Sequence, residues 1–144
     1  MSELPDVEIS VPPRPELVAL VRHVVGATAR MGGLTPDAVE YAKLAVSEAC
    51  TNAVVMTARA RRSDPVNVTA ELEGDRLRVV VTDRGEYPED GEIVEEVEPT
   101  SLDFTFERGL SLPLIQGLVD DLDIAPREGG GMVVTMTLIE DEEG

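Results

Sequence analysis

Several short clusters in this chain carry residue types suited to chemistry. Glu48 and Asn52, in Glu48-Ala-Cys-Thr-Asn52, are four positions apart, so on a helix they stand one turn apart on the same side. A carboxylate accepts protons and a carboxamide offers a neutral oxygen, so the pair can line a polar pocket at the rim of a buried face. Asp83-Arg-Gly85 closes an apolar run, Gly109-Leu110 opens a helical pattern, and Gly129-Gly-Gly131 precedes a second apolar run. Singly, each has an ordinary explanation. Asp-x-Gly at a strand end is more often a turn than a ligand site, glycines before a strand are more often a turn still, and a Glu/Asn pair usually decorates a surface.

The elements that must position these groups follow from periodicity. Val7, Ile9 and Val11 alternate with Glu8 and Ser10, which predicts an edge strand stopped by Pro12-Pro13. From Pro15 to Met31, Leu17, Leu20, Val21, Val24, Val25 and Thr28 recur at helical spacing, and Gly32-Gly33 ends that helix. A second helix runs from Pro36 to about Arg59, with Thr35 as its N-cap and Pro36 at its first position. On it Ala38, Ala42, Ala45, Ala49, Ala53 and Met56 form a core stripe, while Glu40, Lys43, Ser47 and Thr51 fall opposite, toward water. Glu48 and Asn52 sit on the flank between, beside Tyr41 and Val55. Val66 to Leu72 and Leu77 to Asp83 predict a hairpin turned at Gly74-Asp75.

The stretch from Glu86 to Glu107 contains no Lys or Arg and many turn formers; its length makes it either a functional lid, 86–107, or a disordered insertion. A short helix follows Arg108, with Leu112, Ile115, Leu118 and Val119 inward, and Met132 to Ile139 is a final strand. Residues 140–144 form an acidic tail. The whole, 1–144, reads as a single domain.

A chain of 144 residues with 42% hydrophobic residues can bury a sizeable core. With two Phe, two Tyr and no Trp, that core must be aliphatic. No apolar run reaches the roughly 20 residues needed to cross a bilayer. Met1-Ser-Glu-Leu-Pro-Asp6 has neither the basic flank nor the apolar stretch of a secretory signal, and the single Cys50 cannot form an internal disulfide, so a cytoplasmic address is expected. The net charge of −17, from 29 acids against 12 bases, argues against direct nucleic-acid binding and favours a basic protein partner. Arg59, Arg61 and Arg62 are the only tight basic cluster. His23 has no metal-ligand neighbour, Cys50 reads as a small packing residue, and Met31, Met56, Met132 and Met136 read as core filler.

Taken together, the clusters resemble the nucleotide-binding boxes of the GHKL ATPase superfamily, and most of all those of its small anti-sigma factor serine kinases. Leu44-Ala-Val-Ser-Glu-Ala-Cys-Thr-Asn-Ala53 looks like the N box, whose core is Glu-x-x-x-Asn-Ala. Val79-Val-Val-Thr-Asp-Arg-Gly85 looks like the first glycine box, and Glu107-Arg-Gly-Leu-Ser-Leu-Pro-Leu-Ile115 like the second. Gly130-Gly131 takes the place of the last. The likeness spans about Val7 to Ile139.

The resemblance implies a Bergerat-type fold: an α/β two-layer sandwich with a mixed, mainly antiparallel sheet and helices on one face. It implies ATP and Mg2+, with Asn52 as the magnesium ligand and Glu48 as the catalytic general base. Asp83 would accept the adenine amino proton, and Gly85 would let the backbone approach the ring. Gly109 and Leu110 would offer helix-start N–H groups to the phosphates, Arg108 a charged fork to the terminal phosphate, and Gly131 would line the adenine end. It implies, further, a homodimer that holds a sigma factor and phosphorylates a serine of an anti-anti-sigma protein, with no direct nucleic-acid or membrane contact. The sequence departs from the family pattern at Tyr87, where a second glycine is usual, at Ser111, and at Met132, where a threonine is usual. A binding module with weak or absent nucleotide binding is therefore the alternative to an enzyme.

Overall fold

The computed structural model describes residues 5–86 and 111–139, with the main chain alone for 111–113. Strand β1 is Val7–Val11; a 3-10 turn, Pro15–Leu17, leads into helix α1, Val18–Met31, and helix α2 is Pro36–Arg59. Strands β2 (Val66–Glu73) and β3 (Arg76–Thr82) follow, then helix α3 (Ser111–Leu118), β4 (Asp121–Pro126) and β5 (Met132–Ile139). The sheet order is β1-β2-β3-β5-β4, and every neighbouring pair is antiparallel. Of the expected mixed, mainly antiparallel sheet, the described strands show only antiparallel pairs.

Strand alternation builds the two layers. Val68 pairs with Val81, which pairs with Val134, and Ala70 with Val79, which pairs with Met136, so one face of the sheet carries a continuous aliphatic surface. All of these side chains are buried, and they join buried residues of α1 and α2 and Ile115 of α3 in one cluster. The opposite face carries Asn67, Thr69, Arg78, Val80, Thr135 and Thr137, each half-exposed. The result is a sheet with helices on one side.

Helices α1 and α2 form an antiparallel hairpin. Arg22 Nη1 donates to Ser47 Oγ at 3.4 Å, and a Cβ on Gly26 would meet Lys43 Cδ at 2.9 Å, so contacts run backward along α2 as they run forward along α1. That packing covers Lys43 and Ser47, which the helical projection sends to water together with Thr51 and Glu40; Thr51 is half-buried as well, and of that set only Glu40 is exposed. It also sets the phase of α1. The inward residues are Val18, Val21, Val25, Thr28 and Ala29, whereas Leu20 is 47% exposed. So many apolar residues surround α1 that the pattern alone leaves its rotation open, and contact with α2 decides it.

Both helices end in the same way. After α1, Gly33 lies at φ 81 while Leu34 N–H donates to Ala29 O and Gly33 N–H to Arg30 O. After α2, Arg61 lies at φ 59 while Arg62 N–H donates to Thr57 O and Arg61 N–H to Ala58 O. Each is a Schellman cap, but the second places an arginine where glycine is favoured. At the front of α2, Thr35 Oγ1 accepts from Ala38 N–H at 3.2 Å, as its position before Pro36 predicts.

The structure also corrects one reading of a core residue and adds a strand. Met31, the last residue of α1, is 79% exposed rather than core, because it falls outside the buried stripe of Val21, Val25, Thr28 and Ala29; Met56 and Met136 are buried as expected. Strand β4 is an addition to the predicted elements, although Asp121-Leu-Asp-Ile-Ala-Pro126 alternates acid and aliphatic, with Leu122 turned toward the core and paired with Met136. Its acids suit an edge strand, since outward charge discourages pairing with another chain.

Candidate nucleotide site

Helix α2 buries Asn52 to 4% exposure, and its Oδ1 has no hydrogen-bond partner among the described residues. Leaving a buried carbonyl oxygen unsatisfied costs about 1–3 kcal/mol, so a native helix retains such an atom at a penalty unless something else meets it. The neighbouring turn shows the contrast. Thr57, also fully buried, satisfies its hydroxyl by donating to Ala53 O at 2.8 Å. One turn before Asn52, Glu48 is half-buried, and burial raises its carboxyl above the usual 4.5.

The end of β3 is laid against this same helix. A Cβ on Gly85 would stand 2.6 Å from the carbonyl carbon of Met56 and 2.7 Å from Thr57 N, and Glu86 N–H donates to Met56 O at 3.1 Å. Met56 is one turn, roughly 6 Å along the axis, beyond Asn52. The close approach that requires glycine at 85 is thus an approach to helix backbone. Asp83, 1% exposed, turns its Oδ1 back to accept Gly85 N–H at 2.7 Å, and its own N–H donates to Met132 O at 3.1 Å.

The glycine run meets the same point from the other side. Gly129, Gly130 and Gly131 all have positive φ, at 90°, 110° and 111°, and a Cβ on Gly131 would overlap the carbonyl oxygen of Asp83. Positions 83, 85 and 131, far apart in sequence, therefore converge beside the turn of α2 that follows Asn52. Met132 supplies Asp83 with a main-chain oxygen, while its side chain packs against the core.

Not every expected residue can be placed. Tyr87, Arg108, Gly109, Leu110, the rest of the 86–107 lid and the 140–144 tail lie outside the described residues, apart from Glu86. Tyr41, expected on the same flank of α2 as the polar pair, is two turns before Glu48 and borders a cleft of about 300 Å3 with Asp37, Leu118 and Ile139. Cys50 is fully buried, and burial pushes its thiol up to about 12, in keeping with packing rather than reactivity. Two residues at the site escape sequence reasoning as contributors: Arg84, which there is only the middle of Asp-Arg-Gly, and Arg127. Arg84 Nη1 donates to Glu128 O and Gly130 O, and Arg127 Nη1 donates to Asp83 O, each at 3.0 Å. No local spacing could reveal contacts that bridge more than forty positions.

A buried carboxamide oxygen that no described residue meets suits a hard cation, which prefers oxygen ligands and can complete its shell from phosphate and water. A carboxylate with a raised pKa one turn away suits proton transfer, and a buried aspartate suits reading an N–H donor.

Comparison with known proteins identifies the family. Residues 11–138 match the family described as histidine kinase-like ATPase domain. Serine-protein kinase RsbW of Bacillus subtilis is 33% identical over 135 residues, covering 91% of this chain and 83% of that protein. RsbW of Oceanobacillus iheyensis is 30% identical over 146 residues, covering 99% and 92%. Among solved structures, the RsbU and RsbW domains of Rv1364c from Mycobacterium tuberculosis superpose with a TM-score of 0.66 at 21% identity, over 92% of this chain and 31% of that one. The SiaB-SiaC complex from Pseudomonas aeruginosa gives 0.64 at 11% identity, over 92% and 89%. At such identities the structural likeness speaks for the fold alone. From its matched length and from relatives of this similarity, the chain belongs to the histidine kinase-like ATPase family, in the group of the RsbW serine-protein kinases.

Proposed function

We propose that this chain is an ATP-dependent serine-protein kinase that also acts as an anti-sigma factor, holding a sigma factor and phosphorylating a serine of the anti-anti-sigma protein that competes for it. The observation that carries the nucleotide half of this reading is the buried Asn52 Oδ1 without a described partner, one turn of α2 before the Met56 main chain that Gly85 packs against. Asn52 would hold Mg2+, which when bound neutralises phosphate charge. Asp83 reads the adenine edge, and Glu48 takes the proton of the attacking serine hydroxyl. Arg108, Gly109 and Leu110 are assigned to the phosphates by their place in the second glycine box.

Phosphorylation adds nearly two negative charges to the antagonist and so weakens its docking on a chain of net charge −17. The same charge favours a basic partner. Assembly as a homodimer and residence in the cytoplasm belong to this proposal; no helix among the described residues is long and apolar enough to cross a membrane.

Calorimetric titration with Mg-ATP, followed by phosphoryl transfer to the antagonist, tests the reading. Saturable heat and a phosphoserine product are expected; no heat at millimolar nucleotide would remove the kinase. A second reading, a non-catalytic binding module, is favoured by Met132, which brings no hydroxyl to the Asp83 end of the site. That reading predicts sigma-factor capture unaffected by ATP.

A further inference from the structure

We propose that Arg84 and Arg127 are positioning residues which together clasp the Asp83 main chain to the glycine turn and thereby set the nucleotide affinity and purine preference of the site. The inference rests on the reading of Asp83 as the adenine acceptor and extends it to Arg84, to which the box reading gives no role, and to Arg127, which lies outside the boxes.

The clasp is reciprocal. From the β3 side, Arg84 Nη1 reaches across to the carbonyls of Glu128 and Gly130, both at 3.0 Å. From the turn side, Arg127 Nη1 reaches back to the carbonyl of Asp83 at 3.0 Å. Arg127 also closes the turn with its main chain, its N–H donating to Gly131 O at 2.9 Å and its carbonyl accepting from Gly130 N–H at 3.1 Å. Gly129 leaves space for the Arg84 guanidinium, since a Cβ there would stand 3.1 Å from Nη1.

The need for such a clasp follows from the turn itself. Three successive glycines at positive φ have little conformational preference of their own, so their shape must be imposed by contacts. Gly131 lies flush against the Asp83 carbonyl, so any loosening of the turn moves the backbone of Asp83. The Asp83 carboxylate is tied to that backbone through its bond from Gly85 N–H, and moves with it. A hydrogen bond to one purine amino group tolerates only a few tenths of an ångström of displacement, so this slack reads out as lost affinity. Charged donors on main-chain carbonyls make the strongest class of hydrogen bond available for this purpose.

The test is calorimetric titration of the full chain and its variants with Mg-ATP and Mg-GTP, which differ at the purine position that Asp83 would read. Arg127→Ala and Arg84→Ala should each weaken Mg-ATP binding about tenfold and shrink the preference for ATP over GTP by a similar factor. The double variant should lose little more than either single, because one clasp is broken only once. Arg127→Lys, which keeps one charged donor, should recover most of the affinity and guards against loss of folding in the alanine variant. A lowered melting temperature with both dissociation constants within twofold of wild type would reduce the pair to a structural role and overturn the proposal. Asp83→Asn separates the layers. If it weakens ATP binding while both arginine variants do not, the clasp alone fails; if it too leaves binding unchanged, the adenine assignment fails and takes the clasp with it.

Discussion

Gly85 lies against the main chain of Met56 so closely that a Cβ would stand 2.6 Å from the Met56 carbonyl carbon. Helix backbone cannot yield as a flexible side chain can, so Gly85→Ala should destabilise the fold by about 2–3 kcal/mol through overpacking. Differential scanning calorimetry should show a melting temperature lower by roughly 5–10 °C. Gly117 is the control: it is exposed in α3, and a Cβ added there would meet nothing within 4 Å among the described residues, so Gly117→Ala should raise stability by about 0.5–1 kcal/mol. Equal effects at the two glycines would contradict this packing of β3 against α2.

The Asn52 oxygen, which no described residue meets, sets function against stability. Asn52→Ala removes a buried polar atom that has no partner among the described residues, so the nucleotide-free protein should melt at the same temperature as wild type or a few degrees higher. The rise in melting temperature that Mg-ATP gives wild type should be absent from the variant. Equal ATP affinity in the two proteins would refute the metal assignment.

Glu48 predicts a specific pH dependence. Burial raises its folded-state pKa, so folding favours the protonated carboxyl: that stabilisation is fully present below the ordinary 4.5 and is lost as pH rises through the raised value. Glu48→Gln, permanently neutral, should therefore be more stable than wild type at pH 7 and gain nothing at pH 4. Phosphoryl transfer by wild type should fall, on acidification, at a pH above that of an ordinary carboxylate, while Glu48→Gln binds nucleotide but does not transfer. A melting-temperature difference that stays constant from pH 4 to pH 7 would contradict the buried-carboxylate argument.

Arg61 occupies the left-handed position of the α2 cap, at φ 59, where the matching cap of α1 uses Gly33 at φ 81. A side chain in that region is strained by about 1–2 kcal/mol, partly offset by the greater freedom of glycine when unfolded. Arg61→Gly should thus stabilise the protein by about 0.5–1 kcal/mol, read as a higher urea midpoint with an unchanged slope. A lower midpoint would mean that the Arg61 side chain makes a contact worth more than the strain.

Local order was legible from the chain itself. The span of α2, its Thr35 cap, the turn at Gly74 and strand β5 depend on residues within a few positions of one another, and their hydrophobic period and turn chemistry are written in sequence. Motif spacing, also a local property, singled out Glu48, Asn52, Asp83, Gly85 and Gly131 as candidates. Tertiary contact decided the rest: which side of α1 is buried, why Lys43 and Ser47 are covered, and that β4 pairs beside β5. It also gave Gly85 its contact with Met56 and Asp83 its contact with Arg127, which is 44 residues away. Contacts of that length arise only when separate elements dock, and a periodicity of two or 3.6 residues carries no record of them.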